Sequence, residues 1–292
     1  MSNVLFAGLT TLDIQYFVDE FPGSNTKVKT TPPQLLVGGP ATNAAVAYAF
    51  FAGRAPLVTA IGDNTFRSFF EADFNQYGID VVDVLNQIPV NPVLATVVTS
   101  KGNGDRTIFT HNPVDVSSAF DAKPFLCQKS PDMLFVDGFY PELALPLCRE
   151  AKKKGIPVIF DGGSWKEHLY ELLPMVDVAI CSSDFLPPGC NHQDEIFEYL
   201  AGLGIPNVAI TQGEKPILYL DEGEYGQVSV EPVVVADTLG AGDFFHGAFC
   251  YFWQQNKQFH SALEKAAHFA SATCTVPGTR NWLTKFDRHS FI

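Results

Sequence analysis

The residues best suited to chemistry lie near the C-terminal end, in the run Asp237-Thr-Leu-Gly-Ala-Gly-Asp243. Gly240, Ala241 and Gly242 stand where a loop is expected to enter a helix, and small residues there let backbone N–H groups converge on an anion. Asp243 would then stand in the first turn of that helix. A carboxylate in that place can accept a proton from a hydroxyl group that attacks a phosphoryl group.

A simpler interpretation of the same run is a glycine-rich turn whose aspartate caps a helix. For an isolated Gly-x-Gly-Asp that interpretation would be preferred. Here an Asp-Thr pair, two glycines and a second aspartate occur at one fixed spacing, which favours a phosphoryl-transfer site. The sequence has neither the Gly-x-x-x-x-Gly-Lys-Ser/Thr motif of P-loop kinases nor the His-Arg-Asp and Asp-Phe-Gly motifs of protein kinases, so those classes are excluded.

The composition restricts the class of protein. The 292 residues are 46% hydrophobic and 17% charged, which excludes a disordered or collagen-like chain. With 19 basic and 32 acidic residues the net charge is -13, so a general basic surface for nucleic acid is absent. An acidic protein can still bind an anion locally, through helix N-termini and backbone amides.

Targeting, membrane and metal signals are absent from the sequence. No stretch reaches the ~18 apolar residues of a membrane span, and the first residues lack the basic start of a leader. The six cysteines have no Cys-x-x-Cys spacing, and the seven histidines show neither His-Glu-x-x-His nor His-x-x-x-His. We therefore expect a cytoplasmic protein with reduced thiols.

The C-terminal half alternates strand and helix patterns. This alternation predicts an α/β fold in which helices cover both faces of a mostly parallel sheet. The predicted elements are strands at Met133–Val136, Pro157–Phe160, Val176–Ile180 and Asn207–Thr211, helices at Pro141–Lys154, Lys166–Leu173 and Gln193–Leu203, and two closing helices near 241–254 and 259–274.

The N-terminal half contains a second kind of pattern. A buried strand at Val4–Leu9 and an Ala-rich helix at Ala41–Phe51 fit the α/β scheme. Between and after them, segments near 13–36 and 89–111 are rich in β-formers, with a hairpin turn at Lys101–Asp105. We therefore predict a single domain, residues 1–292, with a small β insertion built from these two segments.

The heptad ending in Asp243 resembles the C-terminal signature of the ribokinase-like carbohydrate kinases, the PfkB family. Gly38-Gly-Pro-Ala-Thr-Asn43 resembles the N-terminal signature of that family, and the likeness extends over essentially the whole chain. The run Gly104-Asp-Arg-Thr-Ile108 is similar to ketohexokinase-like members. The resemblance implies a three-layer α/β/α sandwich with a mostly parallel central sheet, in which the β insertion is a lid.

The resemblance also implies roles for particular residues. Asp243 would be the general base, and Gly240, Ala241 and Gly242 would bind the transferring phosphate. The sugar contacts would be Asp13, Gly38, Gly39, Asn43, Asp137 and, from the lid, Arg106. The nucleotide side would include Thr211, Gly213, Ser182, Asp184 and Gly278. Residues 182–185 depart from the Asn-x-x-Glu of the family, since serine replaces the asparagine and phenylalanine replaces the glutamate; Asp184 is the available substitute.

The activity implied by the resemblance is ATP-dependent phosphorylation of a primary hydroxyl on a small carbohydrate, with a ketose among the candidates. Mg²⁺ would assist, without assigned ligands, and K⁺ would bind near 237–243, although Leu239 offers no side-chain ligand. A homodimer through the lid is expected, and no nucleic acid or membrane partner. Two alternatives stay open, a nucleoside kinase on the same fold and a sugar- or nucleotide-binding regulator without catalysis.

Overall fold

The computed structural model describes residues 3–102, 106–111, 116 and 120–292. In chain order the strands are β1 Val4–Ala7, β2 Thr11–Val18, β3 Gln34–Gly38, β4 Ala55–Thr59, β5 Ile79–Asp83, β6 Leu94–Ser100, β7 Arg106–Thr110, β8 Met133–Val136, β9 Val158–Gly162, β10 Val178–Ser182, β11 Asn207–Gln212, β12 Lys215–Asp221 and β13 Glu224–Val228. The helices are α1 Pro40–Ala52, α2 Arg67–Tyr77, α3 Ala122–Lys129, α4 Pro141–Lys154, α5 Leu169–Leu172, α6 Gln193–Gly202, α7 Ala241–Asn256 and α8 Phe259–Thr273.

The central sheet has the order β13-β12-β11-β10-β9-β8-β1-β4-β5. Its strands from β11 to β5 run parallel, and β12 and β13 join antiparallel at one edge. One face of the sheet is covered by α1, α2, α7 and α8 and the other by α3 to α6, and a separate apolar cluster lies between each face and its helices. The prediction of a mostly parallel sheet between two helical layers is therefore confirmed.

Two helices of the first layer, α1 and α7, lie in unusually close contact. A Cβ atom at Gly247 would stand 2.1 Å from the carbonyl oxygen of Ala44, so only glycine permits this approach. Helix α1 begins with Pro40 in its first turn and ends at Gly53, whose φ of 86° closes the helix in the left-handed region. The close pair of helices fixes the separation of side chains at their N-terminal ends.

The second sheet has the order β3-β2-β6-β7 and stands beside the central one. Strand β2 pairs antiparallel with β3 and parallel with β6, and β7 returns antiparallel along β6. Gln15 and Val97 on its inner face are buried, whereas Leu35 and Phe109 on its outer face are exposed. We call this four-stranded sheet the lid sheet. The predicted turn at 101–105 lies partly outside the described residues.

Several boundaries differ from those expected from the sequence. Residues 21–33 form no strand, so the β-rich segment predicted near 13–36 is divided between β2 and the start of β3 at Gln34. The helix predicted from Lys166 starts at Leu169 and becomes a 3-10 turn at Leu173–Met175, where Pro174 cannot donate a helical hydrogen bond. Helix α3 was not predicted. In the described part of the chain no helix is long and apolar enough to cross a membrane.

Candidate active site

The polar residues gather at the carboxyl ends of β1 and β8. These neighbouring parallel strands mark the place where the strand order reverses, with β4 and β5 on one side and β9 to β11 on the other. In open α/β sheets ligands bind in the crevice at such a point. The loop after β1, the residue after β8 and the start of α1 therefore form the floor of the candidate site.

Asp137 holds this floor together. Its carboxylate accepts backbone N–H groups from Leu9 at 2.8 Å, from Ala41 at 3.1 Å and from Phe139 at 3.1 Å. Burial raises the pKa of Asp137 to about 6, although the three N–H bonds act in the opposite direction. The residue predicted as a sugar contact thus joins the loops after β1 and β8 to the first turn of α1.

Asp13 and the glycine pair lie against each other. Thr11 Oγ1 donates to Asp13 Oδ1 at 2.6 Å, and burial raises the pKa of Asp13 to about 6. A Cβ at Gly38 would stand 2.1 Å from Asp13 Oδ2, and one at Gly39 would stand 2.3 Å from the carbonyl oxygen of Leu9. The two glycines are therefore required by the close approach of Asp13 and of the loop after β1.

Asn43 connects this group to the predicted base. Its Nδ2 donates to Asp243 Oδ2 at 2.7 Å, across the contact between α1 and α7. The Asn43 Oδ1 atom is buried and has no partner among the described residues. One amide can therefore orient the carboxylate while its oxygen accepts a hydrogen bond from a ligand hydroxyl.

The N-terminus of α7 presents backbone amides beside Asp243. Gly240 has a φ of 78°, and the first helical bond runs from Phe244 N–H to its carbonyl at 2.8 Å. Ala241 N–H donates to the Thr238 carbonyl at 3.2 Å, whereas no protein acceptor is found in the described chain for the N–H groups of Gly242 and Asp243. The Gly240 N–H likewise has no acceptor among the described residues, so the amides of Gly240, Gly242 and Asp243 are available to an anion, and of the three predicted phosphate contacts only Ala241 has its N–H engaged.

The electrostatic surroundings of Asp243 favour a role for its carboxylate as a proton acceptor. Protein packed around its carboxylate and the neighbouring charge of Asp161 raise the pKa of Asp243 to about 7, while the Asn43 hydrogen bond opposes the rise. His246 lies beneath, with Nδ1 2.7 Å from the Gly242 carbonyl and Nε2 3.7 Å from Asp161 Oδ1. His246 thus holds the first turn of α7 against the strand ends.

The predicted nucleotide residues lie along the ends of β10 and β11. Ser182 and Thr211 are register partners, and Ser182 Oγ donates to the Gly163 carbonyl at 3.0 Å and accepts from Asp184 N–H at 3.2 Å. Gly213, with a φ of 65°, makes the turn into β12. Asp184 is exposed at the end of its strand.

Phe185 stands at the glutamate position of the family motif. Its side chain is fully buried and packs on Phe160 and Trp165, with ring centroids 5.9 Å away in each case. Phenylalanine in place of glutamate at position 185 therefore contributes to the packing of the core, and its side chain supplies no ligand atom.

Arg106 and Gly278 flank the loop that leads into α7. Arg106 Nη1 donates to Thr238 Oγ1 at 2.5 Å, so this predicted sugar contact lies against the loop before the anion-binding turn. Gly278 N–H donates to Asp237 Oδ2 at 3.1 Å. The predicted residues thus form one group around Asp13, Asn43 and Asp243 and a second along the strand ends and this loop.

Three further residues take part that the sequence did not single out as site residues. Gln15 Nε2 donates to Asp237 Oδ2 at 3.0 Å, and Asp161 lies beside Asp243. The ammonium of Lys166 lies 4.1 Å above the Phe139 ring, where burial lowers its pKa against the attraction of Asp137 and Asp161. Gln15 could have been found by alternation, since it shares a face of β2 with Asp13.

A comparison with models of protein families identifies the family of this chain. The model of the pfkB family carbohydrate kinases matches residues 1–285, nearly the whole chain. The chain belongs to the pfkB family. It is a carbohydrate kinase, as the resemblance implied, and its fold is the ribokinase-like α/β fold.

Individual relatives agree with this assignment. A ribokinase from Dictyostelium discoideum is 26% identical over 317 residues, covering 96% of this chain and 96% of the relative. Ketohexokinase from Mus musculus is 24% identical over 94% of this chain and 97% of its own length. A putative ribokinase II from E. coli, solved in complex with ATP and Mg²⁺, covers 100% of this chain and 99% of its own with a TM-score of 0.79 at 17% identity.

Proposed function

We propose that this carbohydrate kinase transfers the γ-phosphoryl group of ATP to a primary hydroxyl of a small sugar, with Asp243 as the general base. The observation that carries the proposal is the contact of Asp243 with Asn43 at 2.7 Å, beside N–H groups at the start of α7 for which the described residues supply no acceptor. The relatives named ribokinase and ketohexokinase support a pentose or a ketose as the acceptor.

The acceptor hydroxyl loses its proton to Asp243 as its oxygen attacks the γ-phosphorus of ATP, and the bond from that phosphorus to the bridging oxygen breaks, so that ADP leaves. A base whose pKa is about 7 is about half ionised at neutral pH, and its ionised form holds a proton well enough to take one from the hydroxyl. The N–H groups of Gly242 and Asp243 stabilise charge on the transferring group, aided by the positive end of the α7 dipole. Asp13 accepts hydroxyl groups of the sugar, and Asn43 Oδ1 accepts another.

The nucleotide side uses the strand ends. Ser182, Thr211 and Gly213 border the place for ATP, and Gly278 borders it from the loop opposite. Mg²⁺ is usually held by one or two carboxylates together with substrate phosphates, and Asp161 and Asp184 are the carboxylates at this edge that fit such a role. When bound, Mg²⁺ offsets negative charge on the β- and γ-phosphates.

A coupled assay of ADP release tests this function. Purified protein is given ATP and Mg²⁺ with a panel of ketoses, aldoses and nucleosides. ADP release that depends on a sugar supports the proposal, and release with nucleosides alone supports a nucleoside kinase. Sugar binding by calorimetry without turnover on any member of the panel would identify a regulator and contradict the proposal.

The lid sheet is proposed to cover the bound sugar with its inner face and to form a homodimer with its outer face. Asp13 lies on the inner face, beside the glycine pair. On the outer face Leu35, Leu94 and Phe109 are 46%, 37% and 65% exposed, and a sheet with such a face gains stability when a second copy covers it.

A further inference from the structure

Arg280, in the loop after α8, is a buried arginine that has no part in the chemistry described so far. Its side chain is 5% exposed, and its Nη2 donates to the carbonyl oxygen of Val37 at 2.7 Å. Val37 lies on β3, an edge strand of the lid sheet, and Gly38 follows it directly. The guanidinium group therefore lies at the end of β3 that leads into the glycine pair of the candidate site.

Two carboxylates and one phenol ring lie near this guanidinium. On α2, Asp73 Oδ2 is 3.8 Å from Arg280 Nη2, and the centroid of the Tyr77 ring is 5.5 Å from Arg280 Cζ. On β2, the second carboxylate is that of Asp13, which lies against Gly38, the residue directly after the carbonyl group that Arg280 binds. One positive charge is thus shared by two buried carboxylates.

The charge of Arg280 is not neutralised by a close ion pair. Its Nε and Nη1 atoms are buried and have no acceptor among the described residues, and the 3.8 Å to Asp73 exceeds the length of a hydrogen bond. An arginine side chain stays protonated in proteins, so the group cannot escape this environment by losing its charge. Its positive charge is therefore available to act on Asp13.

This charge acts on the carboxylate that is proposed to bind the sugar. Burial raises the pKa of Asp13 to about 6, and the hydrogen bond from Thr11 and the charge of Arg280 both oppose the rise. An ionised carboxylate accepts hydroxyl groups at both oxygens, whereas a protonated one must donate from one of them. A positive charge beside Asp13 therefore favours the form that accepts hydroxyl groups of a sugar.

We propose that Arg280 is a positioning residue for the sugar, because its buried guanidinium at the glycine pair is the counter-charge of Asp13. The inference rests on the proposed function for its effect on the sugar. Thr279, which precedes Arg280, extends the same loop to the phosphate side, since a Cβ at Gly240 would stand 3.3 Å from Thr279 Cγ2. Removal of the positive charge should weaken sugar binding most at a pH at which Asp13 is partly protonated.

The test uses three variants of the full chain and one control. Arg280→Met removes the charge and keeps a long side chain, whereas Arg280→Lys keeps the charge. Arg280→Met combined with Asp73→Asn does not leave Asp73 as an unpaired buried charge, so this double variant replaces Arg280→Met if that variant does not fold. Arg54→Met, at an exposed arginine paired with Asp80, is the control.

Two quantities are measured between about pH 5 and about pH 8. Carbon-13 NMR of the aspartate carboxyl groups follows the titration of Asp13, whose signal is assigned by its loss in Asp13→Asn. Calorimetry gives the dissociation constants of ribose and fructose. The titration needs neither sugar nor nucleotide, so it reports the effect of Arg280 on Asp13 independently of the proposed function.

We expect the titration midpoint of Asp13 to rise by about one pH unit or more in Arg280→Met and in the double variant, and to stay near the wild-type value in Arg280→Lys and Arg54→Met. If the pKa of Asp13 rises by about one unit from about 6, the ratio of variant to wild-type dissociation constants should be about fivefold larger at about pH 6 than at about pH 8.

The proposal would be overturned if Asp13 titrates in the same way in the wild type, in Arg280→Met and in the double variant. It would also be overturned if Arg280→Met loses sugar affinity equally at every pH, as a purely structural role at Val37 requires, or if Arg280→Lys shows the pH-dependent loss of Arg280→Met. If neither sugar binds the wild type, the proposed function fails, while a shifted titration still establishes Arg280 as the counter-charge of Asp13.

Discussion

Asn43 and Asp243, two hundred positions apart in the sequence, meet at 2.7 Å between Nδ2 and Oδ2. One stands in the first turn of α1 and the other in the first turn of α7. The contact exists because Gly247 lets the two helices touch through the Ala44 carbonyl. A sugar contact predicted from the N-terminal motif and a base predicted from the C-terminal motif are therefore parts of one hydrogen-bonded pair.

Replacing the base tests the chemical step directly. Asp243→Asn should lower kcat by roughly 10²–10⁴-fold and leave nucleotide affinity nearly unchanged, because a positioned proton acceptor contributes about that much. Steady-state kinetics and nucleotide titration check this. Asp80→Asn, which removes an exposed carboxylate paired with Arg54, is the control and should keep wild-type kinetics. Near-wild-type turnover in Asp243→Asn would remove the assignment of the base.

Asn43 and Asp13 should differ in their kinetic effects. Asp13→Ala should mainly raise the KM for sugar, by the factor that corresponds to about 1–3 kcal/mol of lost hydrogen-bond free energy. Asn43→Ala should raise KM, lower kcat and move the acidic limb of the kcat/KM profile to higher pH, because its hydrogen bond holds down the pKa of Asp243. Identical pH profiles for the two variants would argue against a role of Asn43 in positioning the base.

The fold class and most of the site could be predicted from the sequence, because strand–helix alternation and glycine-rich motifs are local patterns. The contact of Gln15 with Asp237 could not, since it joins the lid sheet to a loop 222 positions away. Helix α3 was missed because Pro124 lies in its first turn and its apolar residues are few. Phe185 showed a departure from the family motif, but only the packing on Phe160 explains it.

The contribution of three buried carboxyl groups to stability should fall as the pH rises from about 4 to about 7. Burial raises the pKa of Asp13 and Asp137 to about 6 and that of Asp243 to about 7, against about 3.9 in the unfolded chain. The folded state then binds more protons than the unfolded state, so these groups stabilise fully below about pH 4 and lose their contribution as the pH passes their folded values.

Calorimetry across this range checks the pH effect. Asp243→Asn resembles the protonated carboxyl, so its melting temperature should exceed that of the wild type at pH 8 and approach it at pH 5. Asp80→Asn, at an exposed carboxylate, should follow the wild type throughout. A wild-type melting temperature that lies below that of Asp243→Asn by the same amount at every pH would show that the raised pKa values do not act on stability.

The contact of α1 with α7 predicts a distant effect on catalysis. In Gly247→Ala the new methyl group would meet the Ala44 carbonyl, so the helices must separate, at a cost of about 1–3 kcal/mol in unfolding free energy. The shift should draw Asn43 away from Asp243 and lower kcat. Urea denaturation and kinetics measure both effects. Gly202→Ala, where a Cβ meets nothing within 4 Å, is the control and should be neutral or mildly stabilising. If Gly247→Ala is destabilised and its kcat is unchanged, the packing of α1 against α7 does not control catalysis and this prediction is wrong.

The outer face of the lid sheet predicts a dimer that forms without ligand. Phe109 on β7 is 65% exposed there, Leu94 on β6 and Leu35 on β3 lie on the same face, and a small sheet rarely leaves such a face open to water. Light scattering at micromolar concentration should give twice the 32.0 kDa of the chain. Phe109→Ser should shift the mass to that of one chain, whereas Tyr225→Ser, which alters an aromatic side chain of 66% exposure on β13, should not.

A wild-type mass of one chain, with amide exchange in 93–102 and 106–111 that slows when sugar is added, would overturn the dimer and retain a lid that closes on the sugar. Exchange there that is unchanged by a sugar that is turned over would remove the lid as well.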